Sequence, residues 1–531
     1  MNQPSLILFN GHIHTMDRLR PLASALAVTG DRITAVGDNS LRTAAGDATR
    51  LLDLGGRTVV PGLIDAHLHF LAYGLSLREI DLMNAPSCAV ALARVAARAV
   101  ATPAGRWLTG RGWDQVLWPE PLFPTAAQLD AVTPDHPAFL RRKCGHAGWA
   151  NSLALRLAGI TRDTPDPDGG AIERDPATGE PTGILLERAM DLVAQLQAIP
   201  TDAAAVDAVR AAMQHAHRLG ITGIHNMEGA PALRAFQELR RRGEWKLRVL
   251  QQIPEVDMEA AIELGIQSGL GDEWIRFGAV KIFADGSLGA RSALMVEPYE
   301  GEPHNRGIAV STAEHLKQQV AKAARAGLAV HIHAIGDQAN RNVLDAIEAT
   351  RRAGIGLHLR HRIEHAQVLH PADLPRFAEL QVIASMQPIH CTQDIVLADR
   401  HWGERSRLAY AWSSLLSSGA MLAFGSDAPV ETPDVLQGLY AAVTRRRTDG
   451  YPGPEGWRPE ECVSVAEALY AYTLGAAYAG GEESSKGSVT PGKLADLAVL
   501  DRNIFTIPAE EILTTPVSAT MVGGEFVHKA F

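Results

Sequence analysis

The feature that most restricts the fold of this chain is a long alternation of apolar, strand-like runs with alanine-rich helical stretches. Candidate strands are Val59–Ala66, Ile221–Asn226, Leu247–Ile253, Ile275–Phe283, Ala329–Ala334, Leu359–His365, Val382–Met386 and Met421–Ser426. Helical stretches such as Thr201–Leu219, Ala313–Ala326 and Gln338–Ala353 separate several of them. A strand followed by a helix returns to the sheet parallel to its predecessor, and eight such units point to a closed (β/α)8 TIM-type barrel. One interval is irregular: roughly 150 residues part the first two strands, whereas a βα unit takes about 30. Residues 75–198 are therefore expected to form an insertion subdomain after strand one, near the face where barrel enzymes keep their active sites. It is rich in Trp, Pro and Gly, including Trp107, Trp113, Trp118 and Trp149.

The two ends of the chain read differently. Leu6–Phe9, Ser24–Val28, Arg32–Val36 and Thr58–Val60 are short strands punctuated by Gly30-Asp31 and Gly55-Gly56. The same texture returns in Ala495–Leu500 and Ala519–Val527, with a hairpin turn at Gly523-Gly524. Residues 1–58 and 487–531 are expected to pair into one small composite β-sandwich, leaving 59–74 and 199–486 as the barrel.

Composition excludes some function classes. In 531 residues the formal net charge is −10, which argues against nucleic acid or an anionic membrane as a partner. The four cysteines, Cys88, Cys144, Cys391 and Cys462, are scattered without a CxxC pair, so neither a disulfide framework nor a thiolate zinc site is indicated. The first ten residues carry only a short apolar run, and the expectation is a cytoplasmic protein. A homodimer remains open.

Histidine placement carries the chemistry. The run Val59-Val60-Pro61-Gly62-Leu63-Ile64-Asp65-Ala66-His67-Leu68-His69 ends a strand in His-x-His. Residues i and i+2 share a strand face, so both imidazoles can converge on one point at the barrel rim, a favourable arrangement for a metal. Two further segments have the same spacing, His12-Ile13-His14 and His331-Ile332-His333. The first lies upstream of any barrel strand and is read as structural or exposed. In the second, His333 is nearer the rim and His331 one layer below. Strand six ends in Glu364-His365, and strand eight runs into Gly425-Ser426-Asp427. Strand four buries Lys281 in an apolar run, where a lysine must be paired, neutralised or modified. A single strand-end histidine is more often a hydrogen-bonded core residue, and an Asp after Gly-Ser more often a helix cap; five such residues at four strand ends favour a site.

These residues resemble the amidohydrolase superfamily pattern: HxH on strand one, a lysine or acid on strand four, histidines on strands five and six, and an aspartate on strand eight. More specifically, the chain is similar to amidohydrolase family 3, the group containing the N-substituted formamide deformylases. The carrying motifs are His146-Ala147-Gly148-Trp149-Ala150-Asn151-Ser152, Phe283-Ala284-Asp285-Gly286-Ser287-Leu288-Gly289, His333-Ala334-Ile335-Gly336-Asp337, Arg362-Ile363-Glu364-His365-Ala366-Gln367 and Pro491-Gly492-Lys493-Leu494-Ala495-Asp496. The resemblance implies one or two Zn2+ ions: His67, His69 and Asp427 on the more buried one, His333 and His365 on the more exposed one, and Lys281 bridging as its carbamate. It implies hydrolysis of an amide C–N bond in a small molecule, most specifically an N-substituted formamide, with Asp427 carrying the proton. Deamination or cyclic-amide or lactone opening on the same scaffold, and a non-catalytic binding role, stay as alternatives. His331 and Glu364 are expected behind the ligands. Trp113, His146, Trp149, Asn151, Arg291 and Gln387 are the candidate substrate contacts.

Overall fold

The structure, a computed structural model, describes residues 3–115, 118–143, 147–167, 169–196 and 201–531. It divides into two compact units, Met1–Tyr73 with Val209–Phe531, and Gly74–Ala208.

The larger unit contains the barrel. Its strands are Leu63–Leu68, Ile221–Asn226, Arg248–Pro254, Ile275–Phe283, Ala329–Ala334, Arg362–His365, Ile383–Met386 and Leu422–Phe424, neighbours in chain order. Every pairing between successive strands is parallel, as the strand–helix alternation requires. The chain after strand eight meets strand one, where Asp427 N donates to His67 O at 2.7 Å. The intervening helices form for local reasons. In Ala313–Arg325, Thr312 accepts a hydrogen bond from His315 N as N-cap, and Leu316, Val320, Ala323 and Ala324 are buried along one face.

The first strand departs from the sequence reading. The apolar run breaks in two, Thr58–Pro61 and Leu63–Leu68, and only the second half enters the barrel. Gly62 is the hinge: a Cβ there would lie 2.1 Å from Thr222 Oγ1 on strand two, so the close passage needs glycine. Thr58–Pro61 instead pairs with Leu497–Leu500 and His12–His14 in a six-stranded sheet built from both ends of the chain. A second sheet holds Leu6–Phe9, Ala25–Thr29, Arg32–Gly37 and Arg50–Asp53. Leu8, Ile13, Leu26, Val59, Leu497 and Met521 share one core across these sheets. Asp496 ties them to the barrel: its carboxylate accepts from Arg248 Nε at 2.9 Å and Nη2 at 3.0 Å, both side chains being buried.

The smaller unit is a six-stranded mixed sheet in the order Gly170–Arg174, Pro181–Glu187, Ala147–Ala150, Ala138–Arg142, Leu108–Trp113, Ile80–Asp81. Trp113, Trp118, Trp149, Leu140 and Ile184 fill its core.

Candidate metal centre

The site is assembled from strand ends. His67 is the penultimate residue of strand one and His69 follows its end; Asp427 arrives from strand eight, its Oδ1 at 3.5 Å from His67 Nε2 and 3.3 Å from His69 Nε2. Two buried features make this approach possible. A Cβ on Gly425 would come within 2.5 Å of His67 N, so the two strands can close only over glycine. Asp65 then pins them together, accepting from His67 N at 3.1 Å, Ser426 N at 3.0 Å and Ser426 Oγ at 2.5 Å. Burial pushes the Asp65 carboxyl up to about 7 against these three donors.

His365 completes a cluster in which one donor atom each from His67, His365 and Asp427 lies within 4.8 Å of the others, all three residues buried. His365 sits in the left-handed region at φ 75°, as does Asp427 at φ 59°, so both turn out of the strand direction. The His333 ring centroid lies 4.6 Å from that of His365. Burial favours the neutral Asp427 carboxyl, but His67, His69 and His365 outweigh it and hold the group well below its ordinary value.

Each inner imidazole is held by its far nitrogen. His67 Nδ1 donates to Glu364 Oε2 at 2.6 Å, His365 Nδ1 to Gln387 Oε1 at 2.7 Å, and His333 Nε2 to Gly286 O at 2.9 Å. The nitrogens left with lone pairs are therefore His67 Nε2, His365 Nε2 and His333 Nδ1. Glu364 is fixed in turn by Arg362, whose guanidinium donates to its Oε1 and also bonds Ala66 O, Ser385 Oγ and His225 Nδ1. His331, one layer down beside Arg362, lies 3.8 Å from Glu364 Oε1.

Lys281 reaches the same interior from strand four. Its Nζ is buried, without a hydrogen-bond partner among the described residues, 4.1 Å from the centroid of the Phe283 ring. Burial lowers its pKa to about 8. Imidazoles, a carboxylate and an amine without a hydrogen-bond partner among the described residues form a donor set suited to a divalent cation.

A sequence model described as "Amidohydrolase family" matches residues 50–528. The chain belongs to the amidohydrolase family.

Among relatives of this amidohydrolase, Protein LONG AFTER FAR-RED 3 of Arabidopsis thaliana is 36% identical, over 98% of this chain and 91% of that protein. The N-substituted formamide deformylase of Arthrobacter pascens is 30% identical, over 98% of this chain and 97% of its own. An uncharacterised metal-dependent hydrolase from Pyrococcus horikoshii superposes with a TM-score of 0.78 at 30% identity, over 95% of this chain and 99% of that one. The barrel, the family and the class of metal-dependent hydrolase acting on C–N bonds thus agree with the reading of the sequence.

The expected substrate contacts fare differently. Trp113 and Trp149 lie in the core of the smaller unit, with their indole N–H groups spent on Leu140 O and Thr125 O, both at 2.8 Å. Asn151 is a helix N-cap, accepting from Ala154 N and bonding Thr133 and His136. These three are structural, and a substrate would find no free polar atom on them. His146 lies outside the described residues. Arg291 is half-exposed and paired with Glu302. Gln387 accepts from His365 through its Oε1, while its buried Nε2 has no hydrogen-bond partner among the described residues.

The family motifs also resolve into loop clamps. Asp285, buried and pushed up to about 7 by burial, accepts from Leu294 N, Ile335 N and Gly336 N, fixing the segments after strands four and five. A residue missed by sequence reasoning is His390, three positions after Gln387 in the helix Pro388–Trp402; its Nε2 is 3.9 Å from Asp427 Oδ2. The available signal was Pro388, which starts that helix directly after strand seven and so sets its first turn at the barrel mouth. No described helix is long and apolar enough to cross a membrane.

Proposed function

We propose that this amidohydrolase cleaves the amide C–N bond of a small molecule, an N-substituted formamide being the leading substrate class. The observation that carries the reading is the convergence of His67, His365 and Asp427 donor atoms within 4.8 Å, with the far nitrogens of the imidazoles already committed. The full-length similarity to an N-substituted formamide deformylase supports the choice of acyl group. His67, His69 and Asp427 would hold one divalent ion, zinc fitting the nitrogen–oxygen donor set, and His333 and His365 a second. The orphaned Nζ of Lys281 is the reason to expect two: an amine that attacks CO2, losing a proton as the N–C bond forms, becomes a carboxylate-like group able to bridge them. When bound, such an ion makes hydroxide available at neutral pH and polarises the carbonyl under attack.

The chain's own residues do the rest. Glu364 holds His67 and Gln387 holds His365 in one tautomer and one orientation. Asp427 is kept ionised by its imidazole neighbours, so it can take the proton of the attacking water and return it to the leaving nitrogen. Arg362, fully buried, balances the Glu364 charge.

Steady-state kinetics of the metal-replete protein on N-benzylformamide, N-benzylacetamide and a cyclic amide test this reading. The expected order is formamide first. A preference for the cyclic amide would replace deformylation by ring opening on the same centre, and no turnover of any amide would remove the amidase reading.

A further inference from the structure

We infer that His390 is a further catalytic residue, its Nε2–H donating a hydrogen bond to the oxygen of the substrate carbonyl. This rests on the amide reading above for the identity of the acceptor, and on four observations for the residue itself. His390 is buried, at 9% exposure, yet its Nε2 has no hydrogen-bond partner among the described residues. Buried polar atoms are nearly always paired, and an exception calls for a missing partner such as a bound molecule. That nitrogen lies 3.9 Å from Asp427 Oδ2, too far for a direct bond, so one polar atom beside the pair could reach both. The imidazole plane is parallel to that of His365 within 5°, with centroids 6.1 Å apart, which makes it part of the same histidine cluster.

Its place in the chain explains how it gets there. Gln387 is the N-cap of the helix Pro388–Trp402, and Pro388 fixes the first helical position, so His390 stands in the first turn just beyond strand seven. Asp394, one turn further along the same helix, is half-buried and accepts from Tyr410 Oη at 2.5 Å, anchoring the helix face that carries His390. The start of this helix thus carries two donors without a partner among the described residues: Gln387 Nε2, on an amide whose oxygen is already held by His365, and His390 Nε2, the one that lies 3.9 Å from Asp427 Oδ2. The ligand class is a planar carbonyl compound with its oxygen exposed, and the role requires only the neutral imidazole protonated at Nε2.

The test uses the full-length, metal-loaded protein and the variants His390→Ala and His390→Gln, glutamine placing an amide N–H near the position of Nε2. Three quantities are read: bound metal per chain, the affinity for acetohydroxamate as a small carbonyl-oxygen probe, and kcat/KM on N-benzylformamide. Metal content should be the same in all three proteins. His390→Ala should lower kcat/KM by about 100-fold, the cost of one donor to a developing oxyanion, and weaken acetohydroxamate by about 10-fold, while His390→Gln recovers a large part of both. Unchanged probe binding and turnover in His390→Ala would overturn the inference. So would loss of metal, which would make His390 a ligand, or failure of the unsubstituted protein to bind the probe, since the oxygen subsite would then be absent. If no amide is turned over but the probe still separates the variants, the deformylase reading fails and the His390 contact stands.

Discussion

Of the three His-x-His segments that lie on or at the end of a β-strand, the first two end in opposite surroundings. His12-Ile13-His14 lies in the six-stranded terminal sheet, where His12 is exposed and His14 stacks on Phe505 with ring centroids 3.6 Å apart and planes 8° from parallel. His67-Leu68-His69 lies at a barrel strand end, where both imidazoles reach the Asp427 carboxylate. Strand periodicity turns both pairs to one face; the sheet decides what that face meets. A barrel mouth gathers eight strand ends around one point, whereas an open sheet offers each strand only its two neighbours. The pattern therefore becomes a site where other strand ends bring a carboxylate and further imidazoles.

The sharpest way to break this comparison is to remove each pair in turn. His67→Ala/His69→Ala should lose most bound metal and drop turnover by more than about 100-fold, beyond what changes behind the ligands usually cost. His12→Ala/His14→Ala should keep both. Metal analysis after dialysis and kcat/KM decide it, and equal metal content in the two double variants would refute the assignment.

The tryptophans extend the lesson to a second residue type. In sequence, the tryptophans of an insertion beside an active-site face read either as a substrate wall or, more often, as the insertion's own core; in the structure Trp113 packs against Trp118 and Trp149. Trp113→Ala should cost about 3–5 kcal/mol of stability in the smaller unit, as large-to-small core changes do. Chemical denaturation measures it. A KM increase confined to bulky N-substituents, with stability untouched, would restore the substrate-wall reading.

The third comparison is between imidazoles that are held and one that is not. Glu364 grips His67 Nδ1 and is itself paired with Arg362, whereas the far nitrogen of an exposed histidine meets water. Glu364→Gln should weaken metal binding by about 10–100-fold and also destabilise the fold, because Arg362 keeps a buried charge without its carboxylate. Competition with a chelator gives the first number and denaturation the second; a variant unchanged in metal affinity would show that the pair serves packing alone.

How much of this was legible follows from which interactions are local. The barrel strands could be read because each is an apolar run bounded by polar or glycine-containing segments, and Ile221–Asn226, Ile275–Phe283 and Ala329–Ala334 end where the sequence says they do. The break at Gly62 could not, since its cause is the approach of Thr222, 160 residues on. The strand-end residues were visible because rim position follows from strand position. The pairs that orient them were only partly so: Glu364 was expected behind the ligands, but its partner His67 lies 297 residues away. His390 was hidden because a histidine in a helix after proline has no periodic signature, and Trp113 stayed undecided between substrate contact and core because burial of an aromatic is decided by neighbours from other strands.

The smallest expected effect concerns the terminal pair and runs through pH. Burial is the main cause that lowers His14 from 6.5 to about 4, partly offset by a side-chain hydrogen bond with Asn503. Above pH 6.5 the ring is neutral whether the chain is folded or not, and its full contribution is present. As pH falls from 6.5 towards 4 the unfolded chain takes up a proton that the folded ring refuses, so stability is lost across that window. His14→Phe keeps a ring against Phe505 and cannot be protonated. The variant loses the Asn503 bond, so its absolute stability is not the diagnostic quantity; the slope is. Its denaturation midpoint should fall less steeply than that of the unsubstituted protein between pH 6.5 and 4.5, while metal content stays the same. Other buried histidines titrate in both proteins, and taking the difference removes their share. Equal slopes would mean that His14 is not shielded from protonation by its place in the sheet, and the contrast between a merely packed histidine and the Asp427-facing pair would then rest on the metal alone.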